Sequence, residues 1–156
     1  MNIRIAEKKD TEKILELLSQ VLEIHAKARP DVFISGTTKY TAEELEAIFK
    51  DENRRTYVAT DDDGTVLGYA FCEIQMPEAS NNLHPHTTLY IDDICVSESA
   101  RGMHIGTGLY EYVLAQAKAL GCYNVTLNVW EGNDTAKAFY KKMGMKIHKT
   151  QMEAIL

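Results

Sequence analysis

The chain has 156 residues, of which 45% are hydrophobic and 26% are charged, and its formal net charge is −6. This length suffices for one domain with its own core, and the composition is that of an ordinary globular protein. No apolar run approaches the roughly 20 residues that a membrane-spanning helix needs, and the amino terminus lacks the apolar segment of a secretory signal. The acidic net charge argues against nonspecific binding to nucleic acid. We therefore expect a single cytoplasmic domain over residues 1–156 that binds neither membrane nor nucleic acid.

The cysteines and histidines give no sign of a metal centre. Cys72, Cys95 and Cys122 are scattered through apolar stretches, which is typical of buried free thiols in a reducing compartment. His84 and His86 are close in sequence, but no further ligands follow at a useful spacing. We predict no metal site.

Charge is distributed unevenly along the chain. Residues 41–100 carry a net charge of −10, whereas residues 101–150 carry +4. Such a chain can hold a cationic ligand at one end and an anionic ligand at the other, although a solvated surface produces the same pattern.

The first part of the chain predicts one strand and two helices. Ile3 and Ile5 alternate with polar residues, as in a short strand. A helix begins at Asp10 or Thr11, and the capping box Thr41-Ala-Glu-Glu44 begins a second helix. The apolar stripes of these helices are Ile14, Leu17, Leu18, Val21 and Leu22 in the first, and Leu45, Ile48 and Phe49 in the second.

The rest of the chain alternates between strands and helices. Strands Thr56–Thr60 and Val66–Gln75 flank Asp61-Asp-Asp-Gly64, which is a hairpin signal. The remaining predicted elements are a strand at Leu89–Val96, a helix at Ile105–Leu120, a strand around 125–129, a short helix at 133–143 and a last strand from Lys146 onward. This order predicts an α/β (α+β) fold with a mixed sheet and helices packed on its faces.

The segment Arg101-Gly-Met-His-Ile-Gly-Thr-Gly108 lies between a predicted strand and a predicted helix. The first turn of a helix has unpaired N–H groups and a positive dipole end, and glycine lets a phosphate approach the backbone closely. The segment lacks the Gly-Lys-Ser/Thr of a P-loop and the spacing of a dinucleotide fingerprint. It therefore indicates either a phosphate site of another kind or a tight glycine turn.

The strand at Leu89–Val96 contains a break in its alternation. Leu89 and Ile91 share one face, but Ile94 and Val96 fall on the other face unless one extra residue is inserted near Asp92. Such an insertion is a β-bulge, which is often found next to active sites. We predict a bulge at Asp92–Asp93.

Two adjacent carboxylates on this apolar strand also need a chemical explanation. Asp92 and Asp93 can be solvated at a strand end, or they can face an amine substrate. An amine with a pKa of about 10.4 arrives protonated and must lose a proton before it attacks. A carboxylate can bind the ammonium and accept that proton, directly or through water. Glu73, on the neighbouring strand, is a second candidate for this base.

The segment Asn133–Gly144 predicts a short helix with a tyrosine beside its apolar stripe. Ala136, Phe139 and Met143 share one face, and Tyr140 lies next to them. A tyrosine there is either a core residue with a hydrogen-bonded hydroxyl or a proton donor in a cleft.

These segments together resemble the GNAT superfamily of N-acetyltransferases over nearly the whole chain. Arg101 and Gly106 match the ends of the family's pyrophosphate loop, Gln/Arg-x-x-Gly-x-Gly/Ala, whereas His104 stands where the family usually has a glycine. The bulged strand and the helix that runs from Asn133 to Tyr140 also match the family. The segment Tyr90–Asp93 is similar to the acidic pair of polyamine acetyltransferases.

The resemblance implies a GNAT-like sheet of about six to seven strands with a bulged, splayed strand, and acetyl-CoA as the co-substrate. Tyr140 is implied to protonate the CoA thiolate, and a backbone N–H near Cys95 to stabilise the oxyanion. The residues implied to bind the cofactor are Ile94, Cys95, Val96, Arg101, Gly102, Met103, His104, Ile105, Gly106, Thr107, Asn133 and Lys137.

We therefore expect an acyltransferase that moves an acetyl group to a small amine or polyamine by direct attack in a ternary complex. The alternatives are a protein or peptide N-acetyltransferase, a non-catalytic acetyl-CoA-binding module, and a binder of another phosphate ligand. A nucleophilic role for Cys95 is disfavoured, because no histidine or acid accompanies it in a known motif. The resemblance also makes a homodimer plausible, with Lys146–Leu156 as the contact.

Overall fold

A computed structural model describes residues 1–78 and 80–156 of the protein. These residues form five strands and four helices. The strands are β1 Asn2–Ile5, β2 Arg54–Thr60, β3 Val66–Gln75, β4 Thr88–Val96 and β5 Asn124–Leu127. The helices are α1 Thr11–Ala28, α2 Ala42–Lys50, α3 Ile105–Ala119 and α4 Asp134–Lys142. The first five predicted strands and all four predicted helices are confirmed to within a few residues.

The strands form one sheet in the order β1-β2-β3-β4-β5. Neighbouring strands are antiparallel from β1 to β4, whereas β4 and β5 run parallel and are connected through α3. The mixed sheet that the sequence predicts is confirmed.

Helices cover both faces of the sheet, because the strand residues alternate between two apolar clusters. The face under α3 contains Tyr57 and Cys72, together with Leu109 of the helix. The opposite face contains Val58 and Phe71, packed against the apolar stripes of α1 and α2. The predicted stripe residues Ile14, Leu17, Leu18, Leu45 and Ile48 are all buried.

The turns and helix ends follow local sequence signals. Asp61 Oδ1 accepts from the backbone N–H groups of Asp63 and Thr65, which closes the β2–β3 hairpin, and Gly64 has a φ of +85°. The predicted capping box begins α2, where Thr41 and Glu44 exchange hydrogen bonds of 3.2 and 2.7 Å.

The prediction of a last strand from Lys146 onward is wrong, and so is the count of six to seven strands. In the part of the chain that the structure describes, residues 145–156 adopt no regular secondary structure. Ile147 and Met152 are 88% and 89% exposed, so the apolar residues of this segment bury little surface against the domain. A strand needs a partner edge, and the local sequence by itself does not supply one. No helix among the described residues is long and apolar enough to cross a membrane.

Candidate active site

The predicted bulge in β4 is confirmed by its pairing with β3. Asp93 lies opposite Phe71 and Ile91 lies opposite Cys72, so Asp92 is the extra residue. The insertion returns Ile94 to the α3 face that Leu89 occupies before it. Because the chain bends at a bulge, Asp92 and Asp93 are presented at the point where β4 changes direction.

Beyond the bulge, β4 separates from β5. Among the described residues the two strands pair only over Thr88–Ile91 and Asn124–Leu127. Ser97 N–H donates to Leu67 O at 2.8 Å, and alternation along an antiparallel ladder then directs the backbone groups of Cys95 toward β3. Those of Ile94 and Val96 point away from β3, and Val96 O accepts from Gln20 Nε2 at 3.0 Å. The edge of β4 along the gap therefore offers the Val96 N–H and the backbone groups of Ile94 for a ligand to pair with.

The amino end of α3 lies beside this gap. Its first helical bond runs from Gly108 N–H to His104 O at 3.0 Å, so the N–H groups of Ile105, Gly106 and Thr107 belong to the first turn and point out of the helix. A methyl group added to Gly106 would lie 3.6 Å from Val96 and 3.7 Å from Phe139. The helix end, the outer part of β4 and α4 thus meet in one place.

The loop before α3 adopts the conformation in which a glycine is expected. His104 has φ 60° and ψ 16°, and it is the one non-glycine residue with positive φ in the described ranges. Gly102, two residues earlier, has a φ of +81°. A left-handed conformation costs an L-residue roughly 1–2 kcal/mol. The backbone shape of the glycine loop is therefore retained in spite of the histidine.

The basic residues of this region are exposed. Arg101 extends from the loop and lies 3.4 Å from Glu98, and its side chain is 53% exposed. Lys137 on α4 is paired with Glu131 at 2.6 Å. Asn133 Oδ1 accepts from Ala136 N–H at 3.2 Å, so Asn133 caps α4 and its amide NH₂ is left to donate elsewhere. Met103 and His104 are exposed, whereas Ile105 is buried.

Asp92 is paired with a lysine that the sequence did not indicate. Lys39 Nζ lies 2.6 Å from Asp92 Oδ2, and the hydroxyl of Tyr40 lies 3.5 Å from the same oxygen. Burial lowers the pKa of Lys39, but the hydrogen bond to Asp92 and its charge outweigh that effect and raise it. Lys39 therefore stays an ammonium group.

Asp93 is held by a buried tyrosine of β3. Tyr69 is fully buried, and its hydroxyl donates to Asp93 Oδ2 at 2.6 Å. Burial raises the pKa of Asp93 to about 6, although the hydrogen bond from Tyr69 and the charge of Lys39 oppose the rise. A carboxyl group with such a pKa can exchange protons near neutral pH.

Tyr140 lies on the other side of β4, within the apolar cluster of α3. Its ring centroid is 5.1 Å from that of Phe139 and 6.1 Å from that of Tyr110. Burial, followed by the negative charge of Asp93, raises the pKa of Tyr140 well above its ordinary value. The phenol therefore stays protonated at neutral pH and is available as a proton donor.

Aromatic and basic side chains form a second cluster, which is centred on Phe33 and Trp130. The Phe33 ring lies 5.1 Å from His25 and 5.2 Å from Trp130 between centroids. Arg29 is 5.7 Å from the Trp130 ring and is paired with Glu153 at 2.6 Å. This group joins α1, the α1–α2 loop and the segment after β5, which are far apart in sequence.

Sequence reasoning missed Tyr69, Lys39 and Tyr40 as residues of the site. Tyr69 lies in the core, and one signal could have indicated its role: a buried tyrosine hydroxyl and an enclosed carboxylate each need a hydrogen-bond partner. Lys39 and Tyr40 belong to an irregular loop, and no pattern could have placed that loop over the bulge. Glu73 lies on β3 opposite Tyr90, farther along the same strand.

The cysteines are unsuited to covalent catalysis. Burial raises the pKa of Cys95 to about 12, and its Sγ lies 3.5 Å from Leu17 O. Burial also raises the pKa of Cys72 to about 12. A thiol with such a pKa is not ionised near neutral pH. Within the described residues, no three His, Cys, Asp or Glu side chains cluster as metal ligands do.

The open edge of β4 and the amino end of α3 fit the pantetheine and pyrophosphate of coenzyme A, because both offer backbone groups for hydrogen bonding and the helix end favours an anion. Comparisons with known proteins lead to the same cofactor. The family model described as "Acetyltransferase (GNAT) family" matches residues 18–145. A point mutant of the BH1408 protein from Bacillus halodurans has 32% sequence identity and a TM-score of 0.95, with 100% of this chain and 99% of that chain covered.

Three named acetyltransferases are also similar to the chain. The glucosamine 6-phosphate N-acetyltransferase of Trypanosoma brucei brucei is 29% identical, over 97% of this chain and 93% of that protein. The glucosamine 6-phosphate N-acetyltransferase of Arabidopsis thaliana is 35% identical, but the match spans only 40% of this chain and 40% of that protein. An aminoglycoside N-acetyltransferase solved in complex with CoA shares the fold, with a TM-score of 0.72 and 17% identity over 99% of this chain and 98% of that chain. This chain belongs to the GNAT acetyltransferase family and is an acetyl-CoA-dependent N-acetyltransferase.

Proposed function

We propose that this protein transfers the acetyl group of acetyl-CoA to a small primary amine by direct attack in a ternary complex. The observation that supports the proposal is the bulge of β4, which presents Asp92 and Asp93, with Tyr140 near enough for the charge of Asp93 to raise the pKa of the phenol. The two acids lie on the side of α1 and α2, and Tyr140 lies on the side of α3. An amine and a thioester can thus approach the same point from opposite sides of the strand.

Backbone groups and exposed basic side chains hold the cofactor in this proposal. The N–H groups at the start of α3 bind the pyrophosphate, assisted by Arg101. The pantetheine arm pairs with the backbone of Ile94 and Val96 in the gap between β4 and β5. Cys95, between them, pairs with Tyr69 of β3 and so fixes the position of this segment. Asn133 and Lys137 border the same cleft from α4. The loop residues Gly102, Met103 and His104 form its outer rim.

Asp93 serves as the general base, and Asp92 orients the incoming ammonium. The pKa of Asp93, raised to about 6 by burial, suits a group that must take a proton near neutral pH and release it again. Asp92 already holds an ammonium group, that of Lys39 at 2.6 Å, which shows that its carboxylate is accessible to a cation. Glu73 is farther along β3 and is the weaker candidate.

The gap edge and Tyr140 act on the thioester as the amine attacks. A backbone N–H of β4 near Cys95 donates to the thioester oxygen as negative charge develops there. Tyr140 donates its proton to the departing sulfur, and its raised pKa ensures that the proton is present beforehand.

The relatives of this chain make an amino sugar one acceptor to test, and the acidic pair makes a polyamine another. The experiment is a thiol-release assay with acetyl-CoA and a panel of glucosamine 6-phosphate, spermidine, amino acids, small amines and basic peptides. Saturable thiol release with one or more of the small amines is the expected result.

The same panel distinguishes the alternative functions. Turnover confined to basic peptides would make the protein a peptide N-acetyltransferase. Tight CoA binding by calorimetry without turnover on any amine would indicate a non-catalytic module. Single-domain organisation, a cytoplasmic location and a homodimer that uses residues 146–156 stay predictions.

A further inference from the structure

Lys39 places a primary amine of this chain at the position assigned to the substrate amine. Its Nζ lies 2.6 Å from Asp92 Oδ2, on the extra residue of the bulge. The carbon chain of Lys39 spans from the α1–α2 loop to β4, and its side chain is 44% exposed. The amine is therefore neither buried in the core nor free in solvent.

The loop segment that carries Lys39 is anchored beside the site. The Tyr40 ring lies 5.8 Å from that of Phe71, the residue opposite Asp93 on β3. Thr38 Oγ1 donates to Tyr40 O at 2.9 Å, and Thr41 caps α2 directly afterwards. Lys39 Nζ also lies 5.4 Å from the Tyr40 ring. These contacts hold the amine over the bulge.

Other lysines with assigned partners are paired away from the bulge. Lys8 lies 3.0 Å from Glu46, Lys13 lies 2.6 Å from Glu16, and Lys137 lies 2.6 Å from Glu131. Their partners are ordinary surface carboxylates on helices and loops. Lys39 differs from them because its partner belongs to the acidic pair that deprotonates the acceptor.

We propose that Lys39 is an intramolecular acceptor, so that this chain acetylates its own Lys39 Nζ when acetyl-CoA is bound and no external amine occupies the site. The inference rests on the proposed function, since it uses the same base, the same backbone donors and the same proton donor.

The reaction is the ordinary transfer with a tethered amine. The ammonium of Lys39 gives one proton to the acidic pair, and its nitrogen lone pair attacks the thioester carbonyl. The N–C bond forms and the C–S bond breaks while Tyr140 gives its proton to the sulfur, and the second nitrogen proton passes through solvent to restore the Tyr140 hydroxyl. The products are acetyl-Lys39, CoA thiol and one proton released to solvent.

Acetylation of Lys39 changes the charge of the acceptor site. An amide has no positive charge, so the ion pair with Asp92 is lost and the carboxylate can bind an external ammonium instead. Lys39→Gln imitates this neutral state. We expect it to lower the KM of a cationic amine by roughly two- to fivefold, the range for a partly exposed ion pair.

The test incubates the purified protein with acetyl-CoA alone and follows intact mass and peptide maps over time. The expected result is one acetyl group per chain on Lys39, at a rate per chain that does not depend on protein concentration. Lys39→Arg retains the ion pair and should remain unmodified. The matched control Lys8→Arg removes an exposed paired lysine far from the bulge and should be acetylated at Lys39 like the wild type.

A mixture of wild-type and Tyr140→Phe chains separates the tethered reaction from chemical acetylation. Modification of Lys39 in the wild-type chains alone supports the inference, whereas equal modification of both chains, or scattered modification of many lysines, overturns it. External amines are assayed on the same samples. Turnover of an external amine with Lys39 unmodified rejects the inference and keeps the proposed function, and the absence of both reactions rejects both.

Discussion

The two sides of the cleft differ in whether backbone groups or side chains form them. The proposed cofactor side, comprising the amino end of α3, Ile94–Val96 of β4 and α4, presents mainly backbone groups whose directions follow from helix and strand geometry. The proposed acceptor side, comprising Asp92, Asp93, Tyr69 and the loop that carries Lys39, depends on side chains from β3, β4 and the α1–α2 loop. A backbone site tolerates substitution at single positions, whereas a side-chain site depends on each group. Mutations should therefore act unequally on the two sides.

Asp93→Asn should give the largest effect on turnover. Loss of the proposed base should lower kcat/KM by roughly 10²–10⁴-fold, the usual contribution of general acid–base catalysis. The wild type should lose activity as the pH falls through about 6, where Asp93 becomes protonated. Steady-state kinetics from pH 5 to 9 measures both, and wild-type turnover in Asp93→Asn would assign the base to Asp92, Glu73 or water.

The same substitution should stabilise the fold. The pKa of Asp93 is about 6 in the folded protein against an ordinary 3.8, so its charged form destabilises the folded state, and this cost appears as the pH rises from about 4 to above 6. Asparagine avoids the cost and can still accept from Tyr69. The Tm of Asp93→Asn should exceed that of the wild type at pH 7, and the difference should vanish near pH 4.

Tyr140→Phe tests whether Tyr140 protonates the departing sulfur, where the two sides of the cleft meet. We expect kcat to fall by roughly 10²-fold because the sulfur loses its proton donor, while the packing of the ring against Phe139 and Tyr110 is retained. The Kd for CoA, measured by calorimetry, should change little, since the cofactor is held elsewhere. Unchanged turnover would remove Tyr140 from the mechanism.

Tyr69→Phe should have a smaller effect that appears mainly in the pH profile. The hydrogen bond from Tyr69 lowers the pKa of Asp93, so its loss should raise that pKa and move the acid limb of kcat/KM to higher pH. Tyr57→Phe is a matched control, because Tyr57 is also buried but packs against Tyr112 on the opposite face. A profile that moves equally in both variants would show a general loss of packing.

His104→Gly should give the smallest effect, on the cofactor side. Glycine relieves the cost of φ 60° but loses more conformational entropy on folding, so the free energy of unfolding should change by less than about 1 kcal/mol. The Kd for CoA should stay the same or fall slightly. The contrasting variant Gly102→Ala, at φ +81°, should lose stability. A large loss of CoA affinity in His104→Gly would show that the imidazole itself contacts the cofactor.

Much of the fold and half of the site could be predicted because their signals are local. The bulge follows from the change of phase between Ile91 and Ile94, and the cap of α4 follows from Asn133. The last strand was predicted wrongly because the local sequence of residues 146–156 says nothing about which sheet edge would receive it. The position of Lys39 beside the bulge could not be predicted for a related reason. An irregular loop is placed by long-range contacts, here the contact of Tyr40 with Phe71.

The sequence by itself determined five strands, four helices, the bulge and the family, because periodicity, capping and turn chemistry act over a few residues. Only the tertiary structure decided which of the two adjacent carboxylates has the raised pKa. Asp92 and Asp93 are adjacent and identical in type, yet one pairs with Lys39 and the other is enclosed beside Tyr69. Burial and charged neighbours determine a pKa, and both depend on how distant segments pack together.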